Sequence, residues 1–193
     1  MTKLDKLEEA VKKLYEAKNP ERDGWADWMV DNHVFVVADY ATGLANRFGA
    51  NTDLARAAAL LHDIADCNMS RMNPGHEAES LKIARELMVQ SGYTEEEISL
   101  VVDDAIRYHS CHNGESPESI EGKILATADS MAHLKTNFYI YAAWAFGKTK
   151  TLQQLKEWVL KKIERDLNDK VFFDEAREEL RPDYEIIKNL FSR

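Results

Sequence analysis

The chain has 193 residues, 45% of them hydrophobic and 31% charged, so it is long enough to bury a substantial core and too apolar for a disordered chain. Its net charge is −9, and the acidity is uneven: residues 1–147 hold 14 Lys+Arg against 24 Asp+Glu, whereas residues 148–193 hold 11 against 10. That balance argues against nonspecific nucleic-acid binding, which needs a basic surface; two cysteines with 43 residues between them give no disulfide framework or CxxC metal site, and no apolar run reaches membrane-span length.

With Cys67 and Cys111 as reduced thiols and no signal-peptide pattern in MTKLDKLEEAVKKLYEAK, a cytoplasmic protein without a membrane partner is expected. Eight glycines, four prolines and apolar residues spaced by three and four predict an all-α chain. A first helix is expected from about Leu4 to Ala17, ended by AKNPERDG, and a second from Trp25 to Phe48, carrying His33. Asn51 or Thr52 can cap a third through LARAAALLHDIAD, with His62 and Asp63 near its end. After the loop CNMSRMNPG, a fourth runs to Gly92, with Pro74 in its first turn and His76 close behind. Thr94 and Glu97 make a capping box for TEEEISLVVDDAIRYHS, which ends at His109. A long apolar helix is expected from Glu118 to Phe146, carrying Asp129, followed by amphipathic helices over Thr151 to Leu167 and Asp174 to Phe191. The expected organisation is one domain over residues 1–193, with a core at 25–147 and a helical extension at 148–193.

Buried imidazole and carboxylate groups are costly unless hydrogen-bonded or bound to metal, so His62 and Asp63 within AAALLHDIA call for a partner. Nitrogen and oxygen donors of this kind suit divalent metals better than thiolate-loving clusters. His33, the adjacent His62 and Asp63, and Asp129 in ILATADSMAHL resemble the ordered metal ligands of the HD-domain superfamily of metal-dependent phosphohydrolases. The resemblance covers about Asp31 to His133. It implies a compact all-α HD bundle with additional C-terminal helices. GHEAES at His76 and IRYHSCHNG at His109 are similar to the extra histidines of two-metal members. By that likeness His33, His62, Asp63 and Asp129 hold one ion, and Asp63, His76 and His109 a second.

The implied cofactor is one or two divalent ions, among iron, manganese, zinc, cobalt, nickel and magnesium. The implied reaction is hydrolysis of a phosphate ester or anhydride in a small molecule, with a nucleotide as the leading substrate class, by metal-activated water. Asp63 and Asp66 are the candidate catalytic carboxylates, Asp66 as an orienter of water or proton carrier. Arg71 and Lys123 are the candidate phosphate contacts. His112 reads as a solvated loop residue, His133 as structural, and the aromatic run TNFYIYAAWAF as core packing. Two other functions stay open: a di-iron HD-type oxygenase, and a metal- or nucleotide-sensing module without turnover. The C-terminal stripes fit packing on the domain or association into a homo-oligomer equally.

Overall fold

A computed structural model describes residues 1–193. Helix α1 (Lys3–Glu16) starts at a Thr2–Asp5 capping box and buries Leu7, Val11 and Tyr15. Helix α2 (Ala26–Met29) runs through a π-helical turn, Val30–Val34, into α3 (Phe35–Phe48), which ends at Gly49 with φ 72°. Asn51 caps α4 (Thr52–Leu61) by accepting from the amides of Asp53 and Leu54. A 3-10 turn, Ile64–Cys67, and a loop lead to α5 (His76–Ser91). The short α6 (Glu95–Ile98), with its Thr94–Glu97 capping box, continues as a π-helical stretch, Ser99–Ile106. Helices α7 (Ile120–Lys135), α8 (Phe138–Phe146), α9 (Leu152–Asn168) and α10 (Asp174–Phe191) complete an all-α chain.

The buried apolar residues form one cluster, from Leu7 in α1 to Tyr184 in α10, with α7 at its centre. Thirteen of the sixteen residues of α7 are buried, and α3, α4, α9 and α10 all pack on it. Gly122 permits the close approach of the 99–106 stretch and of the Pro117 loop to α7, since a Cβ there would stand 3.1 Å from Ala105 Cα and 2.4 Å from Pro117 Cβ. The C-terminal helices contribute Leu155, Val159, Ile163, Leu167, Ala176 and Leu180 to the same core. No helix is long and apolar enough to cross a membrane.

Three local differences from the sequence reading matter for the site. The expected continuous helix from Glu118 to Phe146 breaks after Lys135: Thr136 turns extended, its hydroxyl donates to the Ala132 carbonyl at 2.6 Å, and the same oxygen accepts from the Phe138 amide at 3.2 Å. A threonine that serves both helix ends locally replaces the backbone ladder, which apolar periodicity alone does not reveal. Pro74 stands before α5 rather than in its first turn, because Asn73 accepts from the Gly75 amide and folds the chain into a tight turn. The stretches 30–34 and 99–106 wind as π-helix, which adds one residue per turn and rotates the following side chains; His33 lies within the first and His109 three residues beyond the second.

Candidate metal centre

His62 occupies the C-terminal cap of α4, where its Nδ1 donates to the Ala59 carbonyl at 2.7 Å. A carbonyl can only accept, so the proton is on Nδ1 and the Nε2 lone pair faces inward. His109 is held the same way, its Nδ1 donating to the Ile106 carbonyl at 2.6 Å. Asp63 follows His62 with φ −126° and ψ 32°, leaving the helix, so its Oδ2 comes to 3.5 Å from His62 Nε2.

Asp129 projects from the middle of α7 and is 3% exposed. Its Oδ1 lies 3.1 Å from His33 Nε2, 3.4 Å from His133 Nε2 and 3.9 Å from His62 Nε2. Two sets of donor atoms each fall within 4.8 Å of one another: His33, His62 and Asp129, and His62, Asp63 and His109. His62 belongs to both.

This donor set fits a cation. Asp129 Oδ1 is buried and has no hydrogen-bond partner in spite of the imidazoles around it. The lone pair of His62 Nε2 converges on the same space. Burial lowers the pKa of His33, and burial reinforced by His62 takes His109 down to about 4. Burial opposes ionisation of Asp129, but His133, Lys170 and His33 outweigh it and hold the carboxyl well below the usual range. Burial likewise opposes ionisation of Asp63, and Arg71 overrides it. Neutral imidazoles and ionised carboxylates are the forms that bind metal.

His76 and Asp66 stand differently. The carboxylate of Asp66 accepts from His76 Nε2 at 2.8 Å and from Arg71 Nε at 3.2 Å, while an Arg71 amino group pairs with both Asp63 and Asp66. His76 is in neither donor set, and Asp66 is absent from the cavity lining; the half-buried Arg71 and the His76 imidazole already occupy its oxygens. His76 nevertheless lines the cavity, and Asp66 engages Arg71 and His76 together.

Above the donors lies a cavity of about 300 Å³, lined by His62, Asp63, His109 and Asp129 on one side. Its cations are Arg71, Arg107, Lys162, Arg165 and Lys170, against the carboxylates Asp63, Glu77 and Asp129. A chain of net charge −9 thus has a cavity with more cations than anions. Arg71 lines it, and its guanidinium lies over the Trp25 ring at 5.2 Å; Lys123 does not line it. The aromatic run is divided: Phe138 and Tyr139 are buried, Phe138, Tyr141 and Phe146 line the cavity, and Ile140 and Trp144 are exposed.

In the sequence, two cations of the wall, Lys162 and Lys170, and Asp166 buried behind it carry no assigned role, and His133 reads as structural. Lys170, 2% exposed, pairs with Asp129 Oδ2. His133 stacks on His33 with centroids 4.9 Å apart, and its Nδ1 faces Asp166 Oδ2 at 3.1 Å. Asp166 is fully buried, accepts from Tyr139 at 2.6 Å and neighbours Lys162 at 3.4 Å. Burial opposes ionisation of Asp166, and the Lys162 ammonium, with the His133 ring donating beside it, outweighs burial and keeps the carboxyl ionised. A signal existed. The apolar stripe of α9, Leu155, Val159, Ile163, continues at helical spacing into Asp166 and Lys170, and charges on a core stripe need partners there.

Comparison with known proteins agrees with this geometry. The family description "HD domain" matches residues 30–134, which contain His33, His62, Asp63, His109 and Asp129. Ribonuclease Y of Petrotoga mobilis is 32% identical over 100 residues, which is 52% of this chain and 17% of that protein's length. No solved structure matches. The HD match spans more than half of the sequence, and the chain belongs to the HD-domain superfamily of metal-dependent phosphohydrolases.

Proposed function

We propose that this protein hydrolyses a phosphate ester or anhydride bond of a small molecule, with nucleotides as the leading substrate class, using one divalent ion. The observation that carries the reading is the sharing of His62 between two donor sets at the floor of a cation-rich cavity. An imidazole nitrogen offers one lone pair. The two sets are therefore best read as one site, with His33, His62, Asp63 and Asp129 as ligands and His109 beside them. A divalent ion in such a site lowers the pKa of bound water and offsets charge on a phosphoryl oxygen.

The chain's own residues supply the rest. Arg71, held by Asp66 and by Asp63, presents a guanidinium at the cavity wall for a phosphoryl oxygen. Trp25, Tyr141 and Phe146 offer apolar faces suited to a base or another flat group. The cavity volume suits a small molecule, and the overall acidity disfavours a polynucleotide, so the substrate reading differs from what the name ribonuclease Y says of that protein.

The test is elemental analysis of the purified protein followed by phosphate-release assays on that sample, loaded in turn with iron, manganese, zinc, cobalt, nickel and magnesium. The panel holds nucleoside mono-, di- and triphosphates, sugar phosphates and a short RNA. One metal equivalent, turnover of a small phosphate and loss of both in Asp63→Ala are expected. Oxygen consumption with product oxidation, turnover of RNA alone, or no turnover with any metal would overturn the reading.

A further inference from the structure

Helix α9 sends two cations, Lys162 and Arg165, to the end of the cavity beyond His133. Lys162 Nζ lies 3.3 Å from His133 Nδ1, and the opposite nitrogen of that ring is 3.4 Å from Asp129 Oδ1, so the ammonium stands one imidazole away from the metal carboxylate. The other cavity cations have carboxylate partners: Arg71 has Asp63 and Asp66, Lys170 has Asp129, Lys162 has Asp166, and Arg107 has Asp103 at 3.8 Å.

Arg165 has no carboxylate within ion-pair distance. Its amino group lies 3.1 Å from both ring nitrogens of His112, and its Nε is a buried donor without an acceptor. A buried unsatisfied guanidinium donor is costly, and an anion would satisfy it. A second, more open hollow shares Trp158, Lys162 and Arg165 with the cavity and adds Lys161, Glu164 and Asp169, so this end opens to solvent.

We propose that Arg165 and Lys162 form an anion subsite for a second, non-reacting phosphoryl group, and hence that the preferred substrates carry two anionic groups, as in a nucleoside di- or triphosphate. The hydrolase reading above sets which phosphoryl group reacts; the subsite itself rests on Arg165. In the subsite the distal phosphate accepts from the guanidinium and the ammonium, while the metal ligands and Arg71 face the reacting group. Arg165 and Lys162 then act on substrate binding, with no proton transferred by either.

The probe is inorganic pyrophosphate, titrated by calorimetry and tryptophan fluorescence into protein freed of metal with a chelator, so that binding is read without turnover. Wild-type protein is expected to bind pyrophosphate more tightly than inorganic phosphate. Arg165→Gln should weaken pyrophosphate about tenfold or more, the loss of a charge-assisted pair. Arg165→Lys should recover part of that loss, and Lys82→Gln, an exposed control on α5, should match wild type. In the metal-loaded enzyme, Arg165→Gln should raise KM for diphosphates about tenfold while leaving KM for a phosphomonoester unchanged. Equal pyrophosphate affinity in Arg165→Gln and wild type, with the variant's thermal transition intact, overturns the subsite even if hydrolysis is found. Pyrophosphate binding that depends on Arg165, in a protein that hydrolyses nothing, leaves the subsite standing and removes the hydrolase reading.

Discussion

The two halves of the cavity are built differently. Residues 30–134 contribute imidazole lone pairs and the ionised Asp63 and Asp129 along with Arg71 and Arg107, whereas α9 and the turn after it contribute charge only as cations, Lys162, Arg165 and Lys170. The first half has the donors of a metal site; the second counters its charge from the far side, most directly where Lys170 meets Asp129. Neither wall is self-sufficient, since an ion pair with one member removed leaves a buried charge.

That mutual dependence can be broken outright. In chelator-treated protein, Asp129→Ala should lower the unfolding free energy by about 3–5 kcal/mol by leaving Lys170 unpaired. Asp129→Ala combined with Lys170→Met should recover much of the loss, read by denaturant titration as a non-additive cycle. Additivity would mean that the two walls are independent.

Acid should separate the walls next. Burial, against opposing Asp129, takes His133 to about 3; burial also lowers His33, and with His62 takes His109 to about 4. The unfolded chain holds these imidazoles near pKa 6.5, so below that value it binds more protons than the native state. Metal-free protein should therefore keep its full contribution from these residues above pH 6.5 and lose it progressively as pH falls to about 3, each histidine contributing up to about 1.4 kcal/mol per pH unit. Thermal melts across that range should fall with acid; a flat profile would show the imidazoles charged in the native state. Asp166 on the other wall adds a loss of the same sign in a lower window, beginning only near pH 4, because its folded pKa lies below the ordinary carboxylate value.

Smaller effects sharpen the contrast. Gly122→Ala should cost about 1–3 kcal/mol, because the new methyl meets the Pro117 ring and the Ala105 backbone. Thr151→Ala removes the capping box of α9 and should cost about 1 kcal/mol, with faster amide exchange confined to α9 and α10. Exchange spreading evenly over the whole chain would instead mean that the C-terminal helices unfold only with the rest.

The all-α class, the caps at Asn51 and Thr94, and the approach of His33, His62 and Asp129, with Asp63 beside His62, are legible in the sequence. These follow from local chemistry or from the spacing of residues in neighbouring helices. The engagement of His76 by Asp66 was not legible, because it depends on a loop bringing Arg71 back across the 3-10 turn. Nor was the π winding before His109, which shifts a side chain by one residue without changing composition. Asp166 and Lys170 were visible as charges on an apolar stripe, but their partners lie on α7, 33 to 41 residues away, and pairing over that distance is a property of the fold.

The contact between Lys170 and Asp129 sets a boundary for anyone trimming this protein. A fragment ending where the HD match ends would carry the recognisable histidines and aspartates yet lack the ammonium against which its central carboxylate is balanced. Shuffling the C-terminal helices among relatives would therefore exchange the counter-charge of the centre along with the outer wall.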